Sequence, residues 1–270
     1  MNLWASVRAV LAERDPDAKA AGTLALGRDL GALPDDLPAD TGPVLDEPGV
    51  PDRPVLAPPE AMPRRQLSGP RNHAALIHAL THIEFHAINL ALDAVQRFSA
   101  LPAAFHRDWL RVAAEEADHF LHLRGHLRDL GADYGDFPAH GGLWEMASRT
   151  AHDPLARMAL VPRLLEARGL DVTPDIQRKL KGFGDIAGAA ILDIILRDEI
   201  GHVAVGDRWF RQLCAERRLD PEAEFRRLLQ QPGIPRPRPP FNRPARLAAG
   251  FQPAELESLA ANYRSPEGPG

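Results

Sequence analysis

Two Glu-x-x-His pairs, each on a long helical stretch, constrain this chain more than any other feature. RVAAEEADHF carries Glu116 and His119, and ILRDEIGHVA carries Glu199 and His202. Three residues of α-helix advance about 4.5 Å and nearly one turn, so each pair turns a carboxylate and an imidazole toward one point beside its helix. A single pair arises easily by chance. Here each follows another helical stretch with one candidate glutamate: Glu84 precedes Glu116 by 32 residues, and Glu166 precedes Glu199 by 33. The order Glu, then Glu-x-x-His, thus occurs twice, as two similar helix hairpins. Packed together they predict an all-α, four-helix bundle whose core collects four carboxylates and two imidazoles, the ligand inventory of a di-iron or di-manganese carboxylate protein.

The hydrophobic rhythm supplies the helices. One is predicted over about 71–98, with Ile77, Leu80, Thr81, Glu84, Ile88, Ala91 and Val95 on a broad face. A second runs over about 103–130 and ends at Gly131. A long connection follows, with one short helix near 143–148. A third helix starts at Pro154, is bent by Pro162 and ends near Gly169, with a separate piece over 173–181 capped by Thr173. The fourth runs from about Asp185 to Glu216.

Prolines mark the ends of this region. Nine of the 26 lie between Pro34 and Pro63 and seven between Pro232 and Pro253. Proline removes a backbone donor and restricts its predecessor, so both stretches read as extended or turn-like. Within residues 1–70, residues 2–30 are expected to form one or two short helices, with Leu3, Val7, Val10 and Leu11 on one face, and residues 31–70 to wrap or link. The wrap is expected to be anchored by Val44, Val50, Val55, Leu56, Met62 and Leu67. Residues 71–219 form the bundle, and 220–270 a helical piece, a proline-rich arm and a short helix near 254–262.

Charge explains why such a ligand set goes with metal. Two divalent cations carry four positive charges and four glutamates supply four negative ones, while each histidine terminates one ion. Without metal, four close buried carboxylates repel one another and their pKa values rise. An acid precedes each pair, Glu115 before Glu116 and Asp198 before Glu199. Metal-bound histidine usually gives its other N–H to an acceptor, so Asp198 is expected to orient His119 and Glu115 to orient His202. The plain alternative for each of these residues is an ordinary bundle or surface position. Arg163, one turn before Glu166, offers that glutamate an ion pair instead.

The strings THIEFHAINLALDAV, EEADHF, LLEARGLD and DEIGHVAVGDRW, with PPFNRPAR and AAGF in the tail, resemble the bacterial family catalogued as domain of unknown function 455, within the ferritin-like superfamily of di-iron carboxylate proteins. The resemblance implies Glu84, Glu116, His119, Glu166, Glu199 and His202 as ligands of two iron ions, with manganese or a mixed pair as the alternative. It also implies O2 activation for oxidation or hydroxylation of an unidentified small substrate, with reducing equivalents from an external donor. A ferritin-like metal-binding or ferroxidase protein without organic substrate is the alternative reading. A likeness to di-iron tRNA hydroxylases adds a third, in which the substrate is RNA.

Other features are weighed against plain roles. Small residues Gly188, Ala189 and Gly206 allow either a cavity or close helix packing. His78, His82 and His86 form a stripe facing mostly away from Glu84, suited to an interface with the N-terminal wrap or a partner subunit. His126 lies two turns from His119, as a packed or end-capping histidine or beside an access path. Trp109, Trp144 and Trp209 read as packing residues. Arg236, Arg238, Arg243 and Arg246 favour an arm pinned to an acidic body over RNA binding, since no RNA-binding motif accompanies them. A net charge of −5 argues against a general nucleic-acid or anionic-membrane binder, and the lone Cys214 excludes a multi-cysteine metal site. No apolar run approaches the roughly 20 residues of a bilayer span, and no targeting segment is evident, so a cytoplasmic protein is expected. A homodimer is only a general prior.

Overall fold

The computed structural model describes residues 2–28, 30–57 and 69–263. Met62 and Leu67, two of the expected anchors, lie outside these residues. The described chain is all-α, of the ferritin-like helix-bundle type. Its helices are α1 (Leu3–Ala12), α2 (Pro16–Gly27), α3 (Pro70–Arg97), α4 (Ala103–Asp129), α5 (Gly142–Arg149), α6 (Pro154–Leu160), α7 (Ala167–Phe183), α8 (Ile186–Glu216), α9 (Pro221–Leu229), α10 (Arg243–Ala248) and α11 (Pro253–Ala261). A π-helical segment, Val161–Glu166, joins α6 to α7. Among the described residues there is no sheet; one isolated parallel bridge pairs Leu56 with Ala139. None of the described helices is long and apolar enough to cross a membrane. The chain packs as two compact units, Met1–Ala151 with Lys179–Ile191, and His152–Arg178 with Leu192–Gly270.

The first unit is built on α3 and α4. Phe85 meets Phe120 with ring centres 5.5 Å apart, and Phe98 meets Phe105 at 6.5 Å, so the two helices run antiparallel. Pro70 occupies an early helical position of α3, and Gly69 before it takes φ 105°, a conformation that a side chain disfavours. Helix α3 buries polar as well as apolar residues because its polar groups are met. Gln96 accepts from the Leu45 N–H at 3.0 Å and donates to the Leu45 carbonyl at 2.8 Å. Trp4, Val7 and Leu11 of α1 are buried. The buried Lys19 ammonium of α2 donates to the carbonyls of Leu11 (2.9 Å) and Gly49 (2.6 Å) and to Asn89.

The wrapping segment is held by this polar scaffold and not by its valines. Val55 is 67% and Leu56 56% exposed, and Val44 and Val50 are exposed too. Arg8 pairs with Asp40, the Trp4 indole donates to the Pro38 carbonyl, and Arg107 reaches the Leu33 carbonyl and Asp35. The expected apolar anchoring is corrected accordingly: a segment with a proline every few residues leaves carbonyls without local backbone partners, and arginine and lysine from the helices supply donors.

The helical run from Pro154, which lies in the second unit as far as Arg178, continues to Phe183 and does not stop near Gly169. Two prolines are absorbed by different means. Pro162 sits in the π-helical segment, where the Ala167 N–H bonds the Pro162 carbonyl five residues back, the wider turn relieving the ring. Pro174 lies inside α7 and cannot donate to the Leu170 carbonyl one turn earlier. The Asn242 side-chain amide donates to that carbonyl instead, at 3.0 Å. Thr173 is therefore an interior residue and not a cap. The second unit's stretch of α8 packs antiparallel to this run. Pro162 nests against Gly206, where a Cβ would overlap its ring, and Gln177 bonds Asp193 at 2.6 Å. Gly206 thus serves close packing. Ala167, Leu170, Val203, Phe251 and Leu256 form a shared apolar cluster.

The arm is pinned as expected of a structural element. Buried Arg246 donates to both Asp171 oxygens, at 2.9 and 2.8 Å, and to the Ala167 carbonyl at 3.2 Å. Its short helix α10, which the prolines hid, is capped by Asn242.

Candidate metal centre

In the first unit, Glu84 on α3 and Glu116 and His119 on α4 come together. Their nearest donor atoms lie within 4.8 Å of one another. His119 Nδ1 is 3.4 Å from a Glu116 oxygen and 3.6 Å from Glu84 Oε2. All three residues are buried. The hairpin register does this: with Phe85 facing Phe120, Glu84 falls opposite the turn holding the Glu-x-x-His pair.

Two carboxyl groups and one imidazole share this buried space, and each perturbs the others. Burial, and then the neighbouring Glu116 carboxylate, push the Glu84 carboxyl well above the usual carboxylate range. Burial alone would lower His119, but the Glu116 and Glu84 carboxylates override it and raise the imidazole to about 11. Glu84 Oε2 is sealed from solvent with no hydrogen-bond partner. Hard oxygen donors and an imidazole, buried together, fit a divalent transition ion.

The second unit carries the other expected residues. Glu199 and His202 share a face of α8, with His202 Nδ1 3.8 Å from a Glu199 oxygen and the histidine buried. Glu166 closes the π-helical segment and is half-buried. Since Pro162 packs on Gly206 and Arg163 bonds Asp207, the antiparallel register sets Glu166 at the level of His202. Arg163 does not pair with Glu166; it bonds Asp207 at 2.6 Å and Glu255. Asp198 is half-buried and bonded to Arg197 at 2.8 and 2.9 Å, and Glu115 is half-buried on α4.

The histidine stripe meets the 131–141 connection. His78 Nε2 accepts the Gly135 N–H at 2.9 Å, and its ring stacks on Tyr134 at 5.5 Å. His82 meets the Tyr134 hydroxyl at 2.9 Å and the His140 carbonyl at 3.2 Å. Burial holds His82 down to about 3 and His86 to about 4, so both are neutral packing groups. Trp109, Trp144 and Trp209 are buried, as packing residues should be.

Sequence reasoning missed a second buried donor cluster in the first unit: His73, His126 and Asp185, whose nearest donor atoms again lie within 4.8 Å of one another. Extending the hairpin register by three turns from Glu84 brings His73 opposite the end of α4, where His126 stands. Only the position of Asp185, arriving from a distant part of the chain, left no local signal.

The family described as "Protein of unknown function (DUF455)" matches residues 12–257. An uncharacterized protein of Haemophilus influenzae (strain ATCC 51907 / DSM 11121 / KW20 / Rd) is 50% identical over 214 residues, covering 77% of this chain and 74% of that protein. No solved structure matches. The chain belongs to the DUF455 family.

Proposed function

We propose that this DUF455 protein is a ferritin-like metal-binding protein in which Glu84, Glu116, His119, Glu166, Glu199 and His202 hold a pair of iron ions, with ferroxidase-type turnover as its basic activity. The observation that carries the reading is the buried Glu84–Glu116–His119 cluster, two carboxylates and an imidazole whose donor atoms are gathered within 4.8 Å of one another. The second hairpin offers the same donor types in the same order, Glu166 and then Glu199 with His202. Two irons when bound would supply redox chemistry with O2. The chain's glutamates would offset the charge of the ions, its histidines would orient one imidazole toward each ion, and the packed interior would keep water from the buried carboxylates. Manganese or a mixed pair satisfies the same donors. Glu115 and Asp198 remain our proposed partners for the two histidines.

Oxidation or hydroxylation of an organic substrate, fed by a separate electron donor in the cytoplasm, is the further reading on the same centre. RNA is not favoured as that substrate, because Arg246 is buried against Asp171 and Arg243 lies 3.7 Å from Glu257. The test is anaerobic loading with Fe(II), a count of bound iron, and an O2 pulse followed optically. Repeated Fe(II) oxidation at two ions per chain supports ferroxidase turnover. Oxidation that stops after one round until a reductant is added favours the oxygenase reading. Failure to bind iron overturns both.

A further inference from the structure

We propose that His73, His126 and Asp185 form a separate mononuclear site for a divalent transition ion of zinc type, tying together the ends of three helices. The three residues come from the first turn of α3, the last turn of α4 and the residue before α8. All are buried. Both imidazoles present the same atom, Nε2, to one carboxylate oxygen, Asp185 Oδ2, at 2.6 Å from His73 and 2.8 Å from His126. Asp185 Oδ1 is committed elsewhere: it accepts the Gly188 N–H at 2.7 Å. One oxygen therefore fixes the carboxylate as a helix cap while the other faces two nitrogens.

Two imidazoles and one carboxylate are a donor set for first-row divalent ions, with remaining positions left to water. Metal–ligand bonds of about 2.0–2.2 Å require donor atoms roughly 3 Å or more apart, so the cluster opens by a few tenths of an ångström to admit an ion. Position 188 is glycine where a Cβ would overlap the Asp185 carboxylate and come within 3.0 Å of His126 Nε2, which keeps the carboxylate's surroundings clear. The Phe183 ring packs edge-on against His73 at 4.9 Å and is itself partly exposed, so the donors lie one ring from the surface. His126 is seven residues beyond His119 on α4, about 10 Å along the axis, and His73 eleven before Glu84 on α3, about 16 Å. The site is therefore distinct from the iron centre.

The rival role is a hydrogen-bonded staple without metal. Asp185→Asn separates the two, because asparagine keeps the helix cap but removes the anionic ligand. His126→Gln likewise keeps a donor and removes the imidazole. We would measure Zn(II) bound per chain by equilibrium dialysis of the full-length protein, with thermal melts alongside. The expected result is one ion fewer per chain in each variant than in the wild type, with metal-free melts within a few degrees of wild type and the zinc-induced rise in melting temperature reduced. Glu84→Gln/Glu116→Gln should retain the ion lost from these variants, which separates this site from the iron centre whether or not that centre binds. Unchanged zinc stoichiometry in both Asp185→Asn and His126→Gln would overturn the proposal. If either variant unfolds, the wild type decides through diethylpyrocarbonate labelling: zinc protection at His73 and His126 supports the site, and equal labelling with and without zinc overturns it.

Discussion

Asp207 and Glu255 are buried in the second unit around the Arg163 guanidinium; Glu84 and Glu116 are buried in the first beside the His119 imidazole. The two interiors pose the same problem, a pair of carboxylates taken out of water, and answer it differently. Arg163 is 1% exposed and lies between the rings of Phe210, Phe225 and Phe251, 5.1, 4.3 and 4.6 Å from their centres. Arg211 adds a second cation, 2.7 Å from Asp207. That cluster closes its charge from within and is structural. The Glu84–Glu116 cluster meets the His119 imidazole, and two carboxylates with one imidazole are a donor set that a divalent cation can join.

The contrast can be broken most forcefully at Arg163. Arg163→Ala strands two buried carboxylates and should cost about 3–5 kcal/mol in urea unfolding. A loss below about 1 kcal/mol would mean that the second unit does not depend on its internal cation.

Glu116→Gln should behave in the opposite way. Removing one of two crowded buried carboxyl groups should leave the metal-free protein within about 1 kcal/mol of wild type. It should abolish the stabilisation by Fe(II), which for wild type is about 2.7 kcal/mol at a hundredfold excess over Kd. Anaerobic melts with and without Fe(II) check both halves of this expectation.

Gly206→Ala drives a methyl into the Pro162 ring and should cost about 1–3 kcal/mol by overpacking. It should also lower iron content, because the π-helical segment it displaces carries Glu166. Retained iron content at reduced stability would sever Pro162 packing from ligand placement.

The smallest effect is a pH slope set by Lys19. Burial lowers its ammonium from 10.5 to about 7, against the pull of Glu13. Between those values the folded chain holds fewer protons than the unfolded chain, so the Lys19 contribution makes stability rise with pH across that window. Lys19→Met should flatten this slope, by up to about 1.4 kcal/mol per pH unit, in urea unfolding at pH 7.5 and 9.5. An unchanged slope would show that the carbonyls of Leu11 and Gly49 hold the ammonium charged throughout.

Sequence periodicity located α3, α4 and α8 to within a residue or two, because glycine, proline or a capping aspartate bounds them and their apolar faces are continuous. It failed on the third helix for a physical reason. The broken carbonyl at Leu170 is repaired by Asn242, 72 residues away, and no local pattern records that. The wrap is irregular, as its prolines predict, but valines between prolines suggest apolar packing while the contacts are cations meeting carbonyls. Glu84, Glu116 and His119 were legible because helix spacing and hairpin register suffice to bring them together. Asp185 was not, since its meeting with His73 and His126 depends on where a distant turn arrives.

The most direct test of the central claim is anomalous diffraction at the iron edge from crystals of the Fe(II)-loaded protein. Two peaks about 3.5–4 Å apart are expected, bounded by Glu84, Glu116 and His119 and by Glu166, Glu199 and His202. No peak at Glu84–Glu116–His119, or a single ion held there without the second hairpin's residues, would contradict the dinuclear account.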